Sequence, residues 1–314
     1  MSSLEVTKKA LKDTIDFHIH SGPDTWSGIS GPAGGARLFD DFEAAEMARD
    51  AGMRAIVLKS HDMISSARAY LVRKKVPGVL VFGGVVLNYP VGGLNCTAVQ
   101  SSVKYGEGLG KVVWLPTKDA ANDVTPKSVE RRRRFGRPGI TIAKNEELVP
   151  EMGEVLNAVV ENNLVLATSH IGLEEKRILL EETHRLGLKK VLVTHPENRL
   201  SGVAMDINVQ KELVSKGAYL EYCFENTMPL SLEHTTLDQY VEAIRTIGSD
   251  HIVLSTDFGQ VYNPTPVDGL RMFIVSLQQR GLSQIHIDMM TKMNPARLLD
   301  LTEPEPTSRP EVMG

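Results

Sequence analysis

The sequence predicts an α/β fold of one class, the (β/α)8 TIM barrel, and three observations carry that expectation. Eight short runs rich in Val, Ile and Leu recur along the 314 residues. Helical patterns fall between them, the alternation expected of a parallel sheet. The first run ends in His18-Ile19-His20, where a doubly wound open sheet would usually lead into a glycine-rich phosphate loop.

Taken in order, the first strand is Ile15 to His20, followed by a helix that opens at Asp40. Glu43 lies three residues further on, a capping-box spacing, and Gly52 stops the helix. The second, third and fourth strands are Ala55 to Lys59, Val79 to Val86 and Val112 to Leu115. A segment from Ala120 to Pro150 then exceeds the usual length of a strand-to-helix connection. It contains the run Arg131 to Arg134, and then Arg137. In a barrel that segment lies on the catalytic rim, as a solvated helix face or as a lid attractive to an anionic substrate.

The fifth strand is Leu164 to Thr168, and Gly187 ends the helix from Glu174. The sixth is Val191 to Thr194, and Gly217 ends the helix from Asp206. The seventh is Ala218 to Tyr222, and Gly248 ends the helix from Leu237. The eighth is Ile252 to Ser255, and Gly281 ends the helix from Val267. Residues 1–302 are thus expected to form one barrel domain. The stretch from Glu303 to Gly314, rich in Pro, Glu and Ser without apolar periodicity, reads as a flexible C-terminal tail of residues 303–314.

Composition narrows the function. With 42% hydrophobic and 24% charged residues the chain can bury a sizeable core. A net charge of −4 and scattered basic residues argue against a nucleic-acid surface. Met1 to Asp13 holds lysines and no apolar run, so neither a signal peptide nor a membrane anchor is expected there. No later segment is apolar enough to span a bilayer. Cys96 and Cys223 form no paired motif, which fits the reducing cytoplasm. A small-molecule substrate is the expected partner, with a homo-oligomer the usual state of such an enzyme.

Side chains alternate along a strand, so Asp16, His18 and His20 face the barrel interior while Phe17 and Ile19 face the helices. A lone strand histidine is usually a satisfied core residue. Two imidazoles at i and i+2 can grip one ion. Further ligand types end other strands: His170 after the fifth, His195 after the sixth, Asp257 after the eighth. Barrel active sites collect side chains from these carboxyl ends, so a divalent metal centre is expected.

The chain resembles the amidohydrolase superfamily through Asp16-Phe17-His18-Ile19-His20, Thr168-Ser169-His170, Val193-Thr194-His195-Pro196 and Ser255-Thr256-Asp257. The closing Asn294-Pro295-Ala296-Arg297-Leu298-Leu299 is similar as well, and the likeness covers roughly Ile15 to Leu301. It implies a first metal held by His18, His20 and Asp257, with His170 and His195 holding a second or contacting substrate. Zinc is the expected ion, one or two per chain, with manganese or ferrous iron as alternatives. Many two-metal members supply a bridging Glu or carboxylated Lys from the fourth strand, whereas Val112 to Pro116 contains neither. Lys59, if carboxylated, or Glu221 could bridge instead, or reach the substrate. The ordinary reading of each is a charge satisfied by a neighbouring ion pair.

The reaction expected from this set is hydrolysis by a metal-activated water of a small carboxylic derivative, such as a cyclic amide, a lactone or a related C–N or C–O bond. Asp257 would accept the proton, and His195 or His61 would polarise the substrate oxygen. The alternative is a lyase with a single ion, decarboxylating or hydrating a small carboxylated substrate. Arg37, after the glycine-rich loop of the first strand, is a candidate partner for a substrate carboxylate or else a surface arginine. His184, His234, His251 and His286 are expected to be non-catalytic.

Overall fold

The computed structural model describes residues 10–24, 37–105, 108–134, 136–198, 204–231 and 234–302. The tail expected over 303–314 and the glycines at 28, 31, 34 and 35 lie outside the described residues.

Eight parallel strands follow one another around a sheet in chain order: β1 (Ile15–Ile19), β2 (Ala55–Leu58), β3 (Leu80–Val86), β4 (Gly110–Trp114), β5 (Val165–Ala167), β6 (Val191–Thr194), β7 (Tyr219–Cys223) and β8 (Ile252–Ser255). Their residues are almost all buried, as expected of strands covered by helices outside and packed side chains inside. The sheet closes on itself where Ile19 bridges Phe258, with His20 N–H donating to Phe258 O at 2.8 Å and Asp257 N–H to His18 O at 2.9 Å. Asp16 reinforces that seam. Its carboxylate accepts from the backbone N–H of Thr256 at 3.0 Å and from the Thr256 hydroxyl at 2.6 Å.

The predicted helices form, the first of them with the capping box that the sequence announced. Asp40 accepts from Glu43 N–H at 2.9 Å, while Glu43 accepts from Asp40 N–H at 2.8 Å, opening α1 (Asp41–Asp50). Asp206 caps the helix Ile207–Ser215, and Thr236 caps Leu237–Ile247, where Gly248 takes the left-handed φ of 94° that ends it. Several strand limits differ from expectation by one or two residues, and two of them bear on the site. The fourth starts at Gly110, where a Cβ would lie 2.1 Å from Ser102 O, so a helix packed against the strand selects a residue without apolar character. The second ends at Leu58, which leaves Lys59 on the rim side of the strand.

The arginine-rich segment forms the helix Pro126–Arg134 and a short ladder pairing Ala143–Lys144 with Glu147–Leu148. Only part of it is the solvated face that the sequence suggests. Arg133 is exposed and pairs with Glu130. Arg131 instead bridges Asp62 at 2.7 Å and Asp119 at 2.9 Å, and Arg132 donates to the carbonyls of Lys118 and Ala120. Two well-covered carboxylates on separate loops need a cation, and the helix supplies it. The side chain of Arg134 lies outside the described residues. Among the described residues no helix is long and apolar enough to cross a membrane.

Candidate metal centre

Each expected ligand emerges at the carboxyl end of a strand, and two of them need unusual backbone to do so. His195 and Asp257 adopt left-handed conformations, with φ of 51° and 57°, as does Ser169 at 49°, next to His170. Such residues cost on the order of 1 kcal/mol each and cluster where geometry serves function. The chain turns sharply there, and each side chain is delivered into the mouth.

His18 Nε2 and His20 Nε2 are 3.2 Å apart, and both face Asp257 Oδ1, at 3.1 and 3.0 Å. His195 Nε2 lies 3.4 Å from the other oxygen, Oδ2. The opposite ring nitrogens fix the tautomers. His20 Nδ1 meets the carbonyl of Lys59 at 3.0 Å, so it carries the proton; His18 Nδ1 faces Glu221 Oε1 at 3.4 Å. Both Nε2 atoms therefore present bare lone pairs to each other and to a carboxylate oxygen. Three electron pairs converge with no proton among them, an arrangement that calls for a cation. Donors about 2.0–2.1 Å from a tetrahedral zinc stand about 3.3 Å from one another, close to the triangle observed.

Electrostatics agree. Burial pulls the imidazoles of His18, His20 and His195 down to about 3, with Asp257 opposing, so each is neutral and able to ligate at pH 7. Among the described residues six buried side-chain atoms have no hydrogen-bond partner, and one of them, Glu221 Oε2, belongs to the carboxyl that faces His18.

The other candidates gather around this triangle. His61 stacks on His20 with ring centroids 4.6 Å apart, and its Nδ1 meets Thr117 Oγ1 at 2.9 Å. His170 lies beside His195, centroids 6.1 Å apart, and donates from Nδ1 to Asp123 Oδ2 at 2.9 Å, leaving Nε2 bare. Lys59 is buried, its Nζ 5.6 Å from the Trp114 ring centre; burial lowers its pKa against the pull of Asp257 and Glu221. Glu221, raised by burial, accepts from Ser255 Oγ at 2.9 Å. Arg37 is not a surface residue: its guanidinium is buried in an ion pair with Asp24, 3.0 Å from Nε, so one carboxylate already occupies it. His184, His234 and His286 are exposed, and His251 packs on Tyr219.

Sequence reasoning missed several neighbours. Cys223, with His18, His195 and Asp257, offers atoms that all lie within 4.8 Å of one another. Its thiol lies 3.9 Å from the Nδ1 side of His18, however, and a ring that gives Nε2 to the triangle cannot also give Nδ1 to the same ion. Burial also pushes the thiol well above its ordinary pKa, away from the thiolate that ligates. We therefore favour His18, His20 and Asp257 as the primary set. Asp123 was missed as well, although Asp123 and Thr125 form a local turn in which the carboxylate accepts from Thr125, a readable signal.

A profile of the family described as "Family of unknown function (DUF6282)" matches residues 13–221. No curated protein matches the sequence. Among solved structures, an amidohydrolase from Pseudomonas aeruginosa is similar with a TM-score of 0.58 at 13% identity, covering 95% of this chain and 98% of that one. An amidohydrolase from Burkholderia multivorans with bound zinc gives 0.60 at 9% identity, covering 92% and 99%. The 2,6-dihydroxybenzoate decarboxylase from Rhizobium gives 0.57 at 11% identity, also covering 92% and 99%. At such identities the likeness is one of fold, the (β/α)8 barrel expected from the sequence.

Proposed function

The chain belongs to the DUF6282 family, and we propose that it is a metal-dependent enzyme of amidohydrolase type that hydrolyses a small carboxylic derivative, such as a cyclic amide, a lactone or a related C–N or C–O bond. The observation that carries this reading is the triangle of His18 Nε2, His20 Nε2 and Asp257 Oδ1, three lone pairs 3.0–3.2 Å apart. These residues would hold a divalent ion, zinc first among the candidates, with His170 and His195 available for a second. When bound, such an ion polarises a carbonyl oxygen and brings the acidity of water to about neutrality.

The remaining steps fall to the protein. Asp257, ionised and with one oxygen toward His195, takes a proton during attack and returns it to the leaving group. His195 and His61, neutral through burial, donate or accept hydrogen bonds at the substrate oxygen without adding charge. Lys59, an amine whose pKa burial lowers, could take up carbon dioxide as a carbamate with loss of a proton and so supply an anionic oxygen. Glu221 would offer a carboxyl oxygen beneath His18.

A second reading, a lyase with one ion, is favoured by one observation. Val112 to Pro116 carry no side chain able to bridge two ions, and the one lysine of β4, Lys111, pairs with Asp300. Metal analysis with a panel of esters, lactones and amides separates the readings. Two ions per chain and turnover of the panel support the hydrolase, and one ion with decarboxylation or hydration alone supports the lyase. Metal and activity retained in both His18→Ala and Asp257→Asn would refute either.

A further inference from the structure

Four strand-end histidines gather at the centre, and what meets the Nδ1 of each decides what its Nε2 can do. A neutral imidazole carries one proton, so an acceptor at Nδ1 leaves Nε2 bare, and a donor at Nδ1 leaves Nε2 protonated. Oxygen stands at Nδ1 of three of them: Lys59 O lies 3.0 Å from His20, Asp123 Oδ2 lies 2.9 Å from His170, and Glu221 Oε1 lies 3.4 Å from His18. His195 differs. Its Nδ1 meets the amide nitrogen of Asn226 at 3.5 Å, and its Nε2 faces an oxygen, Asp257 Oδ2, at 3.4 Å.

Three neighbours turn the Asn226 amide that way. Asn226 is buried in the turn Phe224–Thr227 after β7, and its backbone carbonyl accepts from Thr235 N–H at 2.9 Å. Its Oδ1 accepts from Asn198 Nδ2 at 2.9 Å, while its Nδ2 donates to Glu197 Oε1 and stands 3.4 Å from the Tyr240 hydroxyl. Exchanging the two ends of the amide would set Oδ1 against the Glu197 carboxyl and Nδ2 against the NH2 of Asn198. Glu197 takes one amide proton, and the second lies between Tyr240 Oη and His195 Nδ1, so the ring nitrogen meets an N–H and not a lone pair. Tyr240 also donates to Cys223 O at 2.8 Å, so groups from the loop after β6, the end of β7 and the helix Leu237–Ile247 hold this arrangement in place.

We infer that Asn226 is a positioning residue that holds His195 in its Nε2–H tautomer, making His195 a hydrogen-bond donor to the reacting oxygen of the substrate instead of a ligand to a second ion. A proton on Nε2 suits both ends of the ring at once: Nδ1 accepts from Asn226, and Nε2 donates toward Asp257 Oδ2. The other tautomer would set Nδ1–H against the amide N–H and leave Nε2 bare before a carboxylate oxygen. A fixed neutral donor is what negative charge developing on a carbonyl oxygen needs. The ligand set is then His18, His20, Asp257 and His170, whose bare Nε2 Asp123 secures. The inference rests on the metal-site reading for what the donor meets, and not for the tautomer.

The test is the long-range proton–nitrogen NMR spectrum of metal-free protein labelled in its histidine rings, recorded at about pH 8, above the ordinary imidazole pKa of about 6.5. The His195 signals are those lost in His195→Gln. Native His195 is expected with Nε2 at the shift of a protonated ring nitrogen and Nδ1 at that of a bare one, the proton favouring Nε2 at least about tenfold, and His170 should show the reverse. Asn226→Asp, which puts an oxygen where the amide nitrogen stood, should move the His195 proton to Nδ1, and Asn226→Ala should draw the two shifts together, with His170 unchanged in both. Native His195 protonated on Nδ1 overturns the proposal, as does a His195 spectrum that neither substitution alters. The native spectrum and Asn226→Ala decide the matter even if Asn226→Asp fails to fold. The expected spectrum from a chain that binds no zinc would sustain the tautomer and count against the metal centre alone.

Discussion

Asp123 accepts a hydrogen bond from His170 Nδ1 at 2.9 Å, although 47 residues separate them. The pairing sets the tautomer, leaves Nε2 bare toward the centre and raises the basicity of the ring. Asp123→Asn is expected to weaken zinc binding about tenfold or more, as read by competition with a chelator. Unchanged affinity would place His170 outside the ligand set.

The seam of the barrel depends on Asp16. With both of its bonds to Thr256 removed, Asp16→Ala leaves a buried N–H and hydroxyl unsatisfied, at a cost of about 3 kcal/mol, and Asp16→Asn should lose less. Urea unfolding measures both. A loss below about 1 kcal/mol for Asp16→Ala would show that the closure does not rely on this carboxylate.

Gly259 has φ of 150°, and a Cβ there would sit 1.6 Å from the carbonyl oxygen of His20. Gly259→Ala must displace one of the two backbones, so a loss of about 3 kcal/mol or more is expected, together with lowered zinc content because His20 belongs to the proposed ligand set. Native melting temperature with full zinc would contradict this.

Lys176, fully buried, donates to the carbonyl of Ile171, and burial brings its pKa down to about 7, with Glu175 opposing. An unfolded lysine titrates at about 10.4. Between those values the unfolded chain holds a proton that the folded chain does not, so this residue makes stability rise with pH from about 7 to about 10.4. Below that window the contribution is constant and unfavourable. Urea midpoints at intervals across the window should rise more steeply for the native protein than for Lys176→Met; parallel curves would contradict the shift.

The barrel was legible because strands buried on both faces are apolar throughout, and each polar residue ending such a run stands out. His18, His20, His170, His195 and Asp257 were found in that way. What escaped depends on pairings that no local pattern encodes. Arg131 reads as part of a solvated run because its partners, Asp62 and Asp119, lie 69 and 12 residues away. Arg37 likewise owes its burial to Asp24, on the other side of the glycine-rich loop. Alternation placed Asp16 inside the barrel with His18, but gave no hint of Thr256 across the seam.

The most direct measurement is anomalous diffraction at the zinc edge from crystals of the zinc-loaded protein. A peak about 2.0–2.2 Å from His18 Nε2, His20 Nε2 and an Asp257 oxygen is the expected result. A zinc peak bound elsewhere, with those three atoms still facing one another and no ion between them, would contradict it.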